Sequence, residues 1–492
     1  MEQISAPPID YGLLLALAAP ALGAMLLVVL GATGRLSSRA AAGLTVATCV
    51  VAVVLLALLW REPRSAFSGM VVGDDLLVFT GGLLLAATAV SALLSASYLE
   101  HYRLDPAEYY ALMLFVTSGG LMLLAASNLL MLIIGLEVLS LGMYLLTGYA
   151  RGRHFSDEAA MKYFLLGAFS VGFMIYGTAL VYGAAGSLSY SDMAGGLDAG
   201  NGLASLGVGL LFVGFAFKLA LVPFHMWTPD AYVGAPTSVT AFMSVATKVA
   251  TFGALLRFLF MAVPNLGALT STLLVVLATA TMVWGNLAAV IQTDIKRMLA
   301  YSSIGQAGYI VVALVAGDDG RIAMGFYLLA YAVTNLGAFA AVLAAGGGTD
   351  ERLSLRSYEG LGRQRPFAAA MLTVFLLSLA GIPPTAGFWA KLFAFRAAVS
   401  SGYTALAFVG ILTSAVAAYY YIRVIALMYM GTATVEAPGE SAAGARARIP
   451  GSLLAVLAIA LVLTVLLGIL PDLPSELTRA GLFQLTPTAQ LR

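Results

Sequence analysis

Charge is what this 492-residue chain has least of: 10% of its residues are charged, against 61% hydrophobic. A soluble domain typically runs near 25% charged. No water-soluble fold hides so much apolar surface, so the bulk solvent for this chain is lipid. A net charge of +1 gives no reason to expect nucleic acid or an acidic substrate as partner. Cysteine is nearly absent as well. The lone Cys49 excludes disulfides within the chain and any iron–sulfur cluster held by this chain alone, which needs several thiolates. The three histidines, His101, His154 and His225, are scattered, with no metal-ligand spacing and no haem pair. No glycine-rich loop follows a soluble strand, so the 52 glycines read as close contacts between membrane helices, not as a nucleotide site. No basic residue precedes the first apolar run of MEQISAPPIDYG, which predicts a retained first span and no cleaved signal peptide.

What is present is long apolar runs. A bilayer core takes about 20 apolar residues per helix. That ruler places spans near 11–31, 40–60, 74–97, 108–126, 128–149, 158–185, 203–227, 236–263, 267–292, 298–316, 321–345, 366–399, 404–431 and 450–471. The expected fold is therefore an all-α integral membrane protein of about 14 transmembrane helices. Alternate loops differ in charge. One set holds Arg35, Arg39, Arg103, Arg151, Arg153, Lys296, Arg297, Arg352, Arg356, Arg363, Arg365, Arg446 and Arg448. The other holds only Arg61, Arg64, Arg321, Arg479 and Arg492. The excess of basic residues predicts that the first set is cytoplasmic and both termini face outward.

A weak internal echo pairs Gly135-Leu-Glu-Val-Leu-Ser-Leu-Gly-Met-Tyr144 with Ala300-Tyr-Ser-Ser-Ile-Gly-Gln-Ala-Gly-Tyr309. Spans four to eight and nine to thirteen each contain one long, Pro-interrupted segment with a lysine. Copies offset by five crossings run in opposite directions, the design in which broken helices mark a transport site. The units expected are 1–105 for the first three helices, 106–265 and 266–432 for the two repeats, and 433–492 for the last helix and tail.

The chain has five lysines against 20 arginines. Loops use arginine almost exclusively, while Lys162, Lys218, Lys248 and Lys391 fall inside spans. Arginine stays charged under any reachable condition, whereas a lysine in a partly wet interior exchanges its proton. A charge at mid-membrane costs at least ~2.5–3.5 kcal/mol on insertion scales, so a buried lysine reads first as functional. Lys218 lies about 15 residues into its span, near mid-membrane at ~1.5 Å per residue. Pro223 should break that helix and free carbonyls for water. Glu137 is the only acid deep in a span, and Lys218 or Lys248 is its natural partner. Lys248 is central in its span, and Lys391 follows the interruption Gly381-Ile-Pro-Pro-Thr-Ala-Gly387. Lys162 is close enough to a span end to snorkel. His225 either feeds protons inward or caps the broken helix. Lys296 reads as part of the cytoplasmic charge girdle, and Tyr419-Tyr420-Tyr421 as packing or interface anchoring.

The stretch Phe217–Arg257, FKLALVPFHMWTPDAYVGAPTSVTAFMSVATKVATFGALLR, resembles the central motif of the proton-conducting, antiporter-like membrane subunits of respiratory complex I. DIKRMLAYSSIGQAGY, AGIPPTAGFWAKLFAF and DEAAMKYFLLGA resemble further stretches of the same family, so the similarity covers roughly residues 70–432. Lysine at 391 and the GFWAKLF wording favour subunit N of NADH-quinone oxidoreductase over subunit M. The resemblance implies two inverted five-helix repeats, each with a broken helix. It implies that Glu137 is the buried glutamate, Lys218 and Lys391 the broken-helix lysines, Lys248 the bridging lysine and Lys162 an accessory one. It implies neighbouring membrane subunits as partners in a bacterial cell membrane, with NADH, FMN, iron–sulfur clusters and quinone in partner subunits and no cofactor on this chain. One departure stands out. Many relatives have histidine where this chain has Gln306, so a relay there must use water or neighbours such as Tyr301, Ser302 and Ser303. Other readings are a subunit of a multi-subunit sodium/proton antiporter, a membrane hydrogenase-type complex, or a scaffold that transports nothing.

Overall fold

Apolar runs longer than a bilayer is thick can satisfy their backbone only as helices, and the computed structural model is a bundle of them. It describes residues 10–34, 36–150, 153–347, 353–431 and 449–472. Arg35, Arg151, Arg352, Arg446, Arg448, Arg479, Arg492 and both termini lie outside those residues.

Three helices come first: α1 (Tyr11–Gly31), α2 (Ser38–Ala57) and, after a short antiparallel hairpin of β1 (Arg64–Ala66) and β2 (Val71–Gly73), α3 (Asp75–Tyr102). Then follow α4 (Pro106–Ala125), α5 (Leu129–Thr147), α6 (His154–Ala185), the short α7 (Tyr190–Gly196), α8 (Gly202–Leu219), α9 (Trp227–Gly234) and α10 (Thr237–Met261). The second half comprises α11 (Gly267–Val290), α12 (Ile295–Val315), α13 (Gly317–Ala345), the short α14 (Leu361–Gln364), α15 (Pro366–Ala380), α16 (Ala386–Ser400) and α17 (Thr404–Met430). Helix α18 (Gly451–Ile469) closes the order. Among the described residues thirteen helices are each long and apolar enough to cross a membrane, and α15–α16 jointly make a fourteenth crossing.

Capping side chains fix where crossings begin. Asp10, Ser37, Asp74, Asp105, Asn128, Asn201 and Asp294 each accept a backbone N–H in the first turn of the helix they start, filling part of the orphan-donor deficit there. Contacts between loops sort the ends of the bundle. At one end, here the Arg39 end, Arg39 pairs with Glu100 at 3.1 Å and Tyr149 donates to the Asp105 carbonyl. At the other, the Asp74 end, Ser127 donates to Met70, Asn265 to Ala194 and Ser401 to Ala316.

The buried interior centres on α10, α12 and α13, whose apolar windows are 100%, 94% and 89% buried. Those three have no lipid-facing stripe, so the polar groups they carry face other helices. By contrast α1, α2 and α6 show rows of exposed apolar side chains such as Leu22, Val54 and Phe169.

Several sequence-based boundaries move: α3 runs on to Tyr102 past 97, α6 starts at His154 before 158 and α13 at Gly317 before 321, and two further shifts bear on the site. The seventh span runs past 227, because α9 continues it to Gly234. Helix α12 starts at Ile295, not 298, so Lys296 belongs to its first turn.

Candidate proton-transfer site

Pro223 cannot donate to a helical ladder, and α8 stops just before it. The stop is a Schellman motif: Leu221 N–H reaches the Ala216 carbonyl and Ala220 N–H the Phe217 carbonyl, with Ala220 left-handed at φ +58. The Phe217 carbonyl also accepts from Trp227 Nε1 at 2.8 Å, and Val222 N–H donates to Thr281 Oγ1. The chain resumes as α9. Lys218 occupies the last turn of α8, near that turn's partial negative charge. Its Nζ donates to Tyr144 OH at 3.2 Å and lies 5.0 Å and 5.4 Å from the ring centres of Tyr144 and Tyr163.

The second break repeats the first in backbone. Gly381 N–H bonds to Ser378 and Ile382 N–H to Leu377, Gly381 is left-handed at φ +88, and a proline follows three residues after the left-handed residue, as in the first break. The lysines, however, do not correspond. Lys218 precedes its break, whereas Lys391 follows its own, on α16; Leu379 stands where Lys218 stands in the first. Lys391 reaches back across the gap, donating to the Ala380 carbonyl at 2.9 Å and to Ser414 Oγ at 2.7 Å, over the face of Tyr309 at 4.9 Å. Gly381 is required here, since a Cβ on it would come within 2.9 Å of Lys391 Cδ.

Lys248 lies on α10 between the breaks. Its Nζ donates to the Ser303 carbonyl at 2.9 Å, and Ser303 Oγ in turn contacts Tyr331 OH at 2.8 Å and Tyr232 OH at 3.2 Å. Lys218, Lys248 and Lys391 are 2%, 2% and 5% exposed. Among the described residues none of the three forms an ion pair with a carboxylate.

Glu137 is half-buried on α5, on a seam flanked by exposed Ile134 and Leu141. It is near enough to Lys218 and Tyr144 to act on both through its charge. It makes no ion pair with Lys218 or Lys248, and its Oε1 has no hydrogen-bond partner. The direct pair expected from sequence is thus replaced by an arrangement in which Tyr144 takes the lysine's hydrogen bond. Lys162 is half-exposed and bridges Glu158 at 2.6 Å and Asp230 at 3.0 Å; Asp230 also holds Arg297 at 3.1 Å. His225 sits half-buried in the first break, edge-on to exposed Trp284 at 6.1 Å. The structure does not bring Lys162 or His225 into contact with the three buried lysines.

Three features escaped sequence reasoning. Lys296 is fully buried, not a girdle residue, and donates to the Val233 and Ala235 carbonyls. Arginine is not confined to loops: Arg257, inside α10, makes a two-pronged pair with Asp74 at 2.7 Å, both 1% exposed, and donates to the Leu124 carbonyl. Glu137 is therefore not alone among buried acids. The tyrosine run divides as well: Tyr419 is exposed, while Tyr420 and Tyr421 are buried and hydrogen-bonded. The available signal was Arg257 falling inside a predicted span.

A groove of about 870 Å³ opens between α4, α5 and α6, with Glu108 and Asp157 near the Arg39 end and Tyr144 in its wall. Among the described residues no group of three His, Cys, Asp or Glu is placed to hold a metal ion.

The family model described as NADH:quinone oxidoreductase/Mrp antiporter, TM, matches residues 126–417. The chain belongs to this family. Within the oxidoreductase/antiporter family, a curated relative is NADH-quinone oxidoreductase subunit N 1 of Herpetosiphon aurantiacus. It is 42% identical over 446 residues, 89% of this chain and 90% of that protein. Another is NADH-quinone oxidoreductase subunit N of Trichlorobacter lovleyi, 45% identical over 75% of this chain and 77% of its own length. A chain of respiratory complex I from Thermus thermophilus with bound aureothin has the same fold. Its TM-score is 0.79 at 37% identity, covering 95% of this chain and 100% of that one. A chain of the Mrp complex from Dietzia shares the fold at a TM-score of 0.83 and 24% identity.

Proposed function

We propose that this chain is a proton-translocating membrane subunit of a bacterial NADH-quinone oxidoreductase, driven by quinone reduction in partner subunits. The observation that carries the reading is the set Lys218, Lys248 and Lys391, buried without carboxylate partners and held by hydroxyls, carbonyls and ring faces. Such surroundings accept an ammonium or a neutral amine, which a relay requires and a structural ion pair does not. A passive scaffold would carry three insertion penalties for nothing.

In this reading the Arg39 end faces the cytoplasm, in line with its basic loops, and both termini lie outside. Protons enter through a half-channel around Lys218 and the first break, and pass by way of Lys248 to Lys391 and the outer side. Glu137, acting through its charge without touching Lys218, sets how tightly that lysine holds its proton. Each tenfold change in that affinity corresponds to about 1.36 kcal/mol, within reach of a small movement of Glu137 or Tyr144. Lys162 and His225 are accessory at most, at the entrance and at the first break. The test is proton pumping by fully assembled complexes in membrane vesicles. Lys218→Ala and Glu137→Gln should each abolish or severely reduce it, and normal pumping by both would reject the reading.

A further inference from the structure

Trp227 opens α9, across the first break from Lys218, and is 2% exposed. Its Nε1–H donates at 2.8 Å to the carbonyl of Phe217, the residue before Lys218. That carbonyl also takes the Ala220 N–H of the Schellman turn, so the indole ties the second half of the broken span to the last turn of the first. The ring serves the same pocket from another side. It stacks on Tyr163, with centres 4.2 Å apart and planes inclined by 7°. Tyr163 in turn meets Tyr144 edge-on at 4.6 Å. The ring centres of Tyr144, Tyr163 and Phe217 stand 5.0, 5.4 and 5.7 Å from Lys218 Nζ, within the ~6 Å over which a ring face attracts a cation.

A buried indole needs an acceptor for its N–H, but packing alone does not dictate which one. The second break carries a tie at the same offset. Phe217 lies three residues before left-handed Ala220, and Ser378 three before left-handed Gly381. Ser378 Oγ accepts the N–H of Gly387, in the first turn of α16, at 3.2 Å. The chemistry is reversed between the two. A side-chain donor reaches a backbone acceptor across the first gap, and a backbone donor reaches a side-chain acceptor across the second. What recurs is the junction: a hydrogen bond from the second half-helix to the residue three before the left-handed turn. Without it the end of α8 is free to shift, and Lys218 shifts with it.

We propose that Trp227 is a positioning residue for Lys218: its N–H fixes the backbone that carries the lysine, and its ring fixes the Tyr163 face that the ammonium meets. This inference rests on the proton-conducting reading above and gives Trp227 no proton to carry. The two contributions are separable, since phenylalanine keeps a ring for Tyr163 and has no N–H to donate.

Trp227→Phe and Trp227→Leu are built into the native complex. Met174→Ala is the packing control, because Met174 fills the α6–α8 contact at Gly214, one turn from Lys218. Hydrogen–deuterium exchange of the intact complexes reads the tie without turnover. Trp227→Phe should speed exchange at the Ala220 and Leu221 amides about tenfold, the loss of one hydrogen bond of ordinary strength, and leave residues 206–214 of α8 as in the wild type. Pumping in vesicles, followed against pH, reads the lysine. Among the described residues Glu137 is the charged group that acts on Lys218, and it is present in every variant. Trp227→Leu should displace the pH profile by about one unit, and Met174→Ala should not. Unchanged exchange in Trp227→Phe would overturn the proposal, as would a profile that moves equally in Met174→Ala. If Trp227→Leu fails to assemble, Trp227→Phe still decides through exchange. Should Lys218→Ala pump normally, the functional reading fails while the exchange result stands, so the two failures are distinct.

Discussion

Buried in α10 and at the start of α3, Arg257 and Asp74 meet in a fully desolvated pair, 183 residues apart in sequence. Such a pair contributes little against an apolar replacement of both partners, but losing one leaves the other charged and alone. Asp74→Asn or Arg257→Leu should therefore destabilise the protein by about 3–5 kcal/mol, seen as a lower unfolding temperature of the purified complex. Replacing both residues by apolar ones of similar volume should recover most of the loss. Sequence reasoning separated arginine from lysine by location, and Arg257 shows why that rule fails: an arginine is tolerated at depth when a carboxylate and a carbonyl take its donors, which only the fold can reveal. The same holds for Tyr420 and Tyr421. Their neighbour Tyr419 is exposed, and three identical letters carry no sign that two of them point into the bundle.

At the scale of elements, the two breaks share a Schellman end and a proline at the same offset, and differ in the residue at the left-handed position. A left-handed L-residue costs roughly 1–2 kcal/mol. Ala220→Gly relieves that strain and should leave stability within about 1 kcal/mol of the parent after the entropic cost of glycine. Gly381→Ala adds the strain and drives a methyl against Lys391 Cδ. It should impair pumping in assembled complexes far more than Ala220→Gly does, and equal pumping by the two variants would count against the packing described. The existence of both breaks was legible from Pro223 and from Gly381-Ile-Pro-Pro-Thr-Ala-Gly387. That Lys218 precedes its break and Lys391 follows its own was legible as well; that the two breaks share one backbone geometry, with left-handed Ala220 matching Gly381, was not. Span positions were legible too, because apolar length is set by bilayer thickness. The extension through α9 was not, since the polar Asp230 and the proline beside it resemble a loop.

Across the whole molecule, one ion network ties the halves together at the Arg39 end, where Asp230 of α9 holds both Lys162 of α6 and Arg297 of α12. Its members are partly exposed, so water and salt weaken it. Lys162→Ala should leave the unfolding temperature of the complex nearly unchanged and should slow pumping less than Lys218→Ala does, measured side by side in vesicles. A complete loss of pumping on Lys162→Ala would instead place that residue on the path itself.

The mismatch between the two lysines matters most at this scale. Helix α8 begins at the Asp74 end and carries Lys218; α16 finishes at that same end, where Ser401 meets Ala316, and carries Lys391. Although α8 and α16 run in opposite directions, the lysines of both broken spans hang from half-helices rooted in one leaflet. A tilt of that leaflet's anchor points would swing the two lysines in phase, so a single mechanical push arriving from a neighbour would act on both stations in one stroke.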